Sequence, residues 1–455
     1  MTLRDLSLFA LSVLVAGWIG YLIADRLCPR SYPRWLVLAF APMSGFGICS
    51  LIVFFFRRPL TTVEAMLLIV LSLFWFRRFW TRKIPLSGWR DLLSWQPSLL
   101  AMIFAMLLGW SLHASFAQVD RVPNGGTDGW AIWTSHAKYL AAGGKTWASD
   151  IQNTFHPDYP LLLPGVVVHA WRYIGNNSSD APGYLGVLFE LASIGVLAAT
   201  LIKLRSPATG MLMAFVLIGS PAFVLHSASG YADIPLSAFV VSTIALICLY
   251  ESDDSKSPGL IALAGFMAGC AAWTKNEGIP FVLASLLILF LPVFRMRKAA
   301  LHRLAGFAAG LVLPLAAIAY FKLTIAPPND IFDHRNSADL LAKISDSSRY
   351  HIILRSYVLT GWTFGGWVFN PILPVLAFIG LSGIDRSVLR NFGWRAGVAI
   401  IAVLMAAYFA IYVITPLELN DHLASSLNRL MMHIWPGSLL LAGMTVRRQV
   451  PAAKP

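Results

Sequence analysis

The chain has 455 residues, of which 57% are hydrophobic and only 13% charged, against roughly a quarter charged in an ordinary soluble domain. Apolar runs of about 20 residues recur from end to end, each long enough to cross a hydrocarbon core, and their continuous rather than alternating pattern excludes a β-barrel. The net charge of +13 does not mark a nucleic-acid partner, because Lys and Arg sit in short clusters between apolar runs, as the positive-inside rule describes.

These features predict an all-α polytopic membrane protein. The runs fall at 6–24, 35–56, 60–76, 97–117, 184–202, 207–226, 234–250, 259–273, 279–294, 304–325, 357–381, 396–414 and 430–446, giving about thirteen transmembrane helices. Residues 1–96 carry the first three, 97–446 form the core, and 447–455 are a short basic cytoplasmic tail. The first run is followed by Asp25 and Arg26 rather than a small-residue cleavage site, so it reads as a span and not a signal peptide. Cys28, Cys49, Cys248 and Cys270 lie in or beside apolar runs without metal or redox spacing, and read as small apolar helix residues.

Charge sets the orientation. Arg77, Arg78, Arg82, Lys83 and Arg90 make the most basic connection, which is expected in the cytoplasm. Run 97–117 then delivers 118–183 to the outer face. If the weak run 161–174 crossed the membrane, Lys203, Arg205, Arg295, Arg297, Lys298, Arg303, Arg447 and Arg448 would all fall outside. Residues 161–174 are therefore expected to form an interfacial helix, the N-terminus lies outside, and 326–356 is a second outer loop.

The stretch Gln118–Pro164 is what a bilayer leaves unexplained. Ionisable groups at membrane boundaries are costly and tend to serve function. Asp128, in Gly-Gly-Thr-Asp-Gly-Trp, is either the N-cap of a helix over 130–142 or a catalytic carboxylate flanked by Trp130 and Trp133. Asp233, in Gly-Tyr-Ala-Asp-Ile-Pro, is either an ordinary helix start or a functional carboxylate. Lys275 and Glu277, in Trp-Thr-Lys-Asn-Glu-Gly, form either a solvated turn or an anion site, and a Lys on the outer face calls for a reason such as a phosphate. Arg429, at the outer end of the last span, is either a snorkelling side chain or a phosphate fork. His156, Asp158 and Tyr159 occupy a proline-bounded turn. Their His-x-Asp spacing lacks a third metal ligand. His113, His226, His334, His351 and His433 show no ligand spacing either. Nucleotide-binding and hydrolase signatures such as the Walker A loop, GxGxxG, GxSxG and HExxH are absent from the sequence.

The outer loop with its Asp, then HPDYPLLLP, GYADIPLSAF, WTKNEG and SSLNRLMMHIWP, in that order, resembles the GT-C superfamily of polytopic glycosyltransferases. The nearest branch holds the protein O-mannosyltransferases and lipid A aminoarabinose transferases. The resemblance spans about 97–446 and implies a GT-C-like core whose large first outer loop contains interfacial helices. It implies Asp128 as catalytic base, Asp233 as a second acidic residue, and Lys275 and Arg429 as ligands of a lipid-linked phosphate. It departs from the mannosyltransferase pattern at the Asp-Glu pair, here Asp128-Gly129, which leaves Asp120 as a rival base.

The implied reaction is inverting transfer of a sugar from a polyprenyl-phosphate donor to a hydroxyl of a glycan, lipid or protein acceptor. It would take place on the outer face of a bacterial plasma membrane. Trp130, Trp133, His156, Asp158, Tyr159 and Glu277 are the expected substrate contacts, membrane lipids are the expected surroundings, and no cofactor or metal is expected because the protein's own cations can neutralise phosphate. Two other classes stay open: a secondary transporter or lipid-linked sugar flippase, which would place charges near the midplane of broken helices, and a non-catalytic membrane subunit of a cell-envelope assembly.

Overall fold

The computed structural model describes residues 1–56, 60–82, 99–144, 146–294, 297–329, 337–366 and 370–448. It opens with α1 (Leu3–Leu27), α2 (Arg34–Phe56), α3 (Leu60–Arg82) and α4 (Leu99–Arg121). The long connection that follows contains a π-helical turn (Gly129–Thr134), α5 (Ser135–Ala142), α6 (Trp147–Ile151) and α7 (Leu162–Ile174). Next come α8 (Ala181–Leu204), α9 (Pro207–Ile218), α10 (Pro221–Ala228), α11 (Asp233–Ser252), α12 (Pro258–Thr274), α13 (Gly278–Phe290) and α14 (Arg297–Thr324). The chain ends with α15 (Ser337–Ser345), α16 (Ser347–Thr363), α17 (Ile372–Ser382), α18 (Phe392–Ile414) and α19 (Leu419–Met444). No strand occurs among the described residues.

Among the described residues, seven helices, namely α1, α2, α4, α8, α11, α14 and α18, are long and apolar enough to cross a membrane. The pair α9–α10, bent by 67°, makes an eighth if it is one broken span. The chain is thus an all-α integral membrane protein. Two predicted runs are interrupted: 207–226 at the α9–α10 bend, and 357–381 at Phe364–Gly366, where Gly365 adopts φ 80°. The basic connection 83–98, Arg295, part of the second outer loop (330–336) and most of the tail lie outside the described residues.

Local signals set several boundaries. Thr2 and Asp5 form a reciprocal capping box at the start of α1. Ser206 caps α9 ahead of Pro207, and Gly175, at φ 84°, ends α7. With 13 residues α7 is about 20 Å long, too short to cross. It is buried on nearly every face against α1, α2, α5 and α8.

α11 is the central element. Every residue from Asp233 to Tyr250 is buried, as an all-round apolar helix requires, and α8, α12, α18 and α19 enclose it. α12 crosses α14 by backbone approach: a Cβ on Gly310 would lie 1.8 Å from the Ala262 carbonyl oxygen, and one on Gly265 1.9 Å from that of Phe307. Such small-residue contacts are the usual means of close helix packing in lipid.

The two ends of the bundle differ. At one, the N-terminal ammonium pairs with Asp180 at 2.7 Å and Tyr184 donates to Asp120 at 2.8 Å. At the other, Tyr32 reaches the Leu249 carbonyl beneath Lys203, Arg303 pairs with Glu251 at 2.7 Å, and Arg205 pairs with Asp385 at 2.9 Å. Lys203, Arg205 and Arg303, which sequence assigned to one side, therefore do share one end.

Gly310→Val should lower the thermal midpoint of the detergent-solubilised protein, at an overpacking cost of about 1–3 kcal/mol. Gly109→Val, on α4 with open space around it, should leave the midpoint nearly unchanged. Equal midpoints for the two variants would refute the close crossing.

Candidate functional site

The site is built on Asp233, the first residue of α11, which is fully buried. Ala232, not Asp233, holds the cap position of α11, so the ordinary helix-start reading does not describe the role of Asp233. Instead Arg429 donates from Nε and Nη2 to Asp233 Oδ2 at 3.0 and 2.9 Å. Lys275 Nζ donates to Oδ1 at 3.1 Å, and His433 Nε2 lies 2.8 Å from the same oxygen. His433 Nδ1 is 3.1 Å from the Tyr408 hydroxyl. That arrangement suits a neutral imidazole donating to the carboxylate and accepting from the phenol.

Asp128 closes the other side of Arg429, with Oδ2 at 2.7 Å from Nη1. It makes no cap bond. Its position follows from the glycines around it. Gly126 N donates to the Ser229 carbonyl at 3.0 Å. A Cβ on Gly125, which has φ 70°, or on Gly129 would lie 2.2 or 2.3 Å from that same oxygen. The Gly-Gly-Thr-Asp-Gly loop thus wraps one carbonyl in the Ser-Gly-Tyr-Ala-Asp segment, which brings Asp128 beside Asp233. Tyr231 from that segment lies under the Arg429 guanidinium, 4.8 Å from its ring centre.

Glu277 completes the network by accepting from Lys275 at 2.8 Å. Burial disfavours the Lys275 charge, but Asp233 and Glu277 outweigh it and raise its pKa. The groups are layered by exposure. Asp233 is sealed, the Arg429 side chain is 20% exposed and that of Asp128 31%, while Glu277 is 18% exposed. Three carboxylates face two cations, so the network with neutral His433 carries one net negative charge.

A second cluster supports the first. Asp158 is buried and accepts from Asn276 Nδ2 at 2.7 Å and Asn329 Nδ2 at 2.6 Å. Lys322 Nζ donates to the Asp158 carbonyl at 2.5 Å and to Asn276 Oδ1 at 2.8 Å. This ties the proline-bounded turn to the α12–α13 turn and to the end of α14. Tyr159 stacks with both His156 (4.8 Å) and Trp133 (5.5 Å). Burial, with Glu277 and Asp158 nearby, holds its phenol well above the usual range.

Four residues singled out from sequence, Asp128, Asp233, Lys275 and Arg429, meet in one network, with Glu277 at its edge. Others require correction. Asp158 is a buried structural anchor, not an open substrate contact: its Oδ2 accepts from Asn276, Asn329 and Lys322. Trp133 is 1% exposed, so its face is not open to a sugar. Asp120 takes no part in the network and lies exposed beside Tyr184. Trp130 is 53% exposed and His156 is exposed. Sequence reading gave His433 no role in the site, although it stands four residues after Arg429 and hence on the same helix face. No protein family, characterised protein or solved structure matches the chain.

Asp233→Asn should cost about 3–5 kcal/mol of stability, since it leaves Arg429 and Lys275 undercompensated in a buried setting. Asp128→Asn, at the exposed edge, should cost about 1 kcal/mol or less. Chemical or thermal unfolding in detergent measures both, and equal losses would contradict the layering.

His136 supplies a pH test. It is fully buried, 2.8 Å from Thr154 Oγ1, and burial pushes its pKa down to about 4, partly offset by the Phe155 backbone and Asp158. Between pH 6.5 and 4 the unfolded chain therefore binds more protons than the folded one. Stability should be full above about pH 6.5 and fall by up to about 3 kcal/mol as pH drops to 4. The midpoint difference between wild type and His136→Gln, scanned from pH 7 to 4, should shrink on acidification by that amount; a constant difference would count against the assignment.

Proposed function

We propose that the chain is a glycosyltransferase that moves a sugar from a polyprenyl-phosphate donor to an acceptor hydroxyl at the outer membrane boundary, as the GT-C resemblance implies. The observation that carries this reading is the convergence of a partly exposed carboxylate, Asp128, with two cations, Arg429 and Lys275, at one end of the bundle. The bundle's other, basic end suits the cytoplasm, which supports an outer-face position for the network; the membrane in this reading is a bacterial plasma membrane. In this reading the chain makes about thirteen crossings, with α9–α10 and α16–α17 each counted as one broken span.

The chemistry assigned to each residue follows from its partners. Asp233 is saturated by Arg429, Lys275 and His433, so it serves to fix the cations and not as a base. The donor phosphate would take the exposed side of Arg429 now held by Asp128. Asp128 is thereby released next to the acceptor and takes its hydroxyl proton. The acceptor oxygen bonds to the anomeric carbon from the face opposite the phosphate. The anomeric C–O bond breaks with its electron pair going to the polyprenyl phosphate, whose charge Arg429 and Lys275 stabilise. Trp130 and His156, both exposed, would be the rings that contact the sugar.

Glu190 favours a second reading, ion-coupled transport. Buried within α8, it accepts from Ser111 (3.4 Å), Ser115 (3.1 Å) and Ser227 (2.5 Å), and no cation pairs with it among the described residues. Ser227 belongs to the bent α9–α10 pair, which matches the charge-at-a-broken-helix pattern of transporters.

Purified protein given polyprenyl-phosphate sugars and a hydroxyl acceptor should release polyprenyl phosphate. Asp128→Asn should slow this about 10²–10⁴-fold with little change in stability. Wild-type rates in Asp128→Asn would sink the base assignment. Glu190-dependent proton or sodium flux in liposomes without any release would favour the transporter.

A further inference from the structure

Away from this site, three side chains from separate helices converge on one point: Cys49 on α2, Glu64 on α3 and His169 on α7. All three are buried. The thiol sulfur, a carboxylate oxygen and an imidazole nitrogen lie within 4.8 Å of one another. His169 Nε2 and Glu64 Oε1 are 3.0 Å apart, yet neither atom meets hydrogen-bond geometry with any partner. The two atoms face each other as an ion pair whose angle falls outside hydrogen-bond geometry. The other Glu64 oxygen is already satisfied, since Oε2 accepts from the Tyr173 hydroxyl at 2.8 Å. That leaves Oε1 aimed into the cluster and fixes the carboxylate plane, as outer-shell partners of metal ligands do.

We propose that Cys49, Glu64 and His169 bind a zinc ion. Zinc bonds of roughly 2.0–2.3 Å to nitrogen, oxygen and thiolate set tetrahedral ligand atoms about 3.3–3.6 Å apart, which this cluster reaches with small side-chain adjustments. A thiolate with an imidazole selects zinc over magnesium or calcium, which prefer all-oxygen sets. Thiolate and carboxylate together neutralise the dication, so the occupied site places no net charge in an apolar interior.

The location gives the ion a structural task. Ser50, the neighbour of Cys49, donates to the Leu161 carbonyl at 3.3 Å and accepts from Trp273 Nε1 at 3.1 Å. Gly165 on α7 approaches the same serine, 2.5 Å from a built Cβ to its Oγ. The ion would pin α7, which follows the proline-bounded turn, to α2 and α3. Cysteine and histidine spacing along the chain gives no hint of this, because the three ligands come from three distant segments.

Full-length protein purified in detergent under reducing conditions, with no chelator, should carry about one zinc per chain by mass spectrometry. Cys49→Ala, Glu64→Gln and His169→Gln should each reduce this at least tenfold, whereas Cys248→Ala should retain it. Wild-type protein stripped with chelator and reloaded with cobalt should give intense tetrahedral visible bands and a thiolate charge-transfer band. This spectrum decides the matter even if a variant fails to fold. Zinc retained in the triple variant, or a pale six-coordinate cobalt spectrum without a thiolate band, would overturn the site.

Discussion

A carboxylate sealed from water at the start of a buried helix must be matched by charge, because leaving it unpaired would cost several kcal/mol. Asp233 is that carboxylate, and its three partners come from two other helices: Lys275 follows α12, while Arg429 and His433 lie one turn apart on α19. The pairing therefore does more than hold three side chains. It fixes the end of α12, the start of α11 and the first half of α19 against one another. Everything placed at that end of the bundle is positioned relative to this one desolvated group.

The connections above the bundle are held by the same logic at a smaller scale. The glycine-rich loop closes on the Ser229 carbonyl, a contact that a side chain at Gly125 or Gly129 would block. Asp158 collects donors from Asn276, Lys322 and Asn329, so the turn before α7 is pinned to the turn after α12. Asn276 stands beside Lys275 in the chain, which links the two carboxylate anchors through adjacent residues. These polar ties act together with apolar anchors of the same connection, since Ile132, Trp133, Leu140, Trp147 and Ile151 are all buried in the core.

Depth separates roles that look identical in sequence. Asp128, Asp158 and Asp233 are all acidic residues near predicted helix ends. Asp233 and Asp158 are sealed and held by donors from other segments, so their charge is spent on architecture. Asp128 shares its single cationic partner with Asp233 and keeps contact with solvent, which makes it the carboxylate that can exchange partners. Glu277 has the same character on the Lys275 side. Glu190 is a different case again, a buried carboxyl served, among the described residues, by hydroxyls alone.

Composition and run length alone determined that the chain is helical and lies in a membrane, because hydrocarbon permits few other backbones. The clustering of Lys203, Arg205 and Arg303 at one end was likewise legible, as charge distribution along the chain records sidedness. Asp128, Asp233, Lys275 and Arg429 could be singled out because each is an ionisable residue where a bilayer gives no reason for one. What the linear order could not contain was who pairs with whom. Capping signals around Asp128 and Asp233 were real as local preferences, but buried cations outbid the backbone for both carboxylates. Trp133 and Asp158 looked exposed because they lie in a polar connection, and tertiary packing buried them. His433 and the Cys49–Glu64–His169 cluster depend on contacts between segments far apart in the chain. Only the folded arrangement of helices decides those, since burial makes unpaired polar atoms costly and so selects the partners.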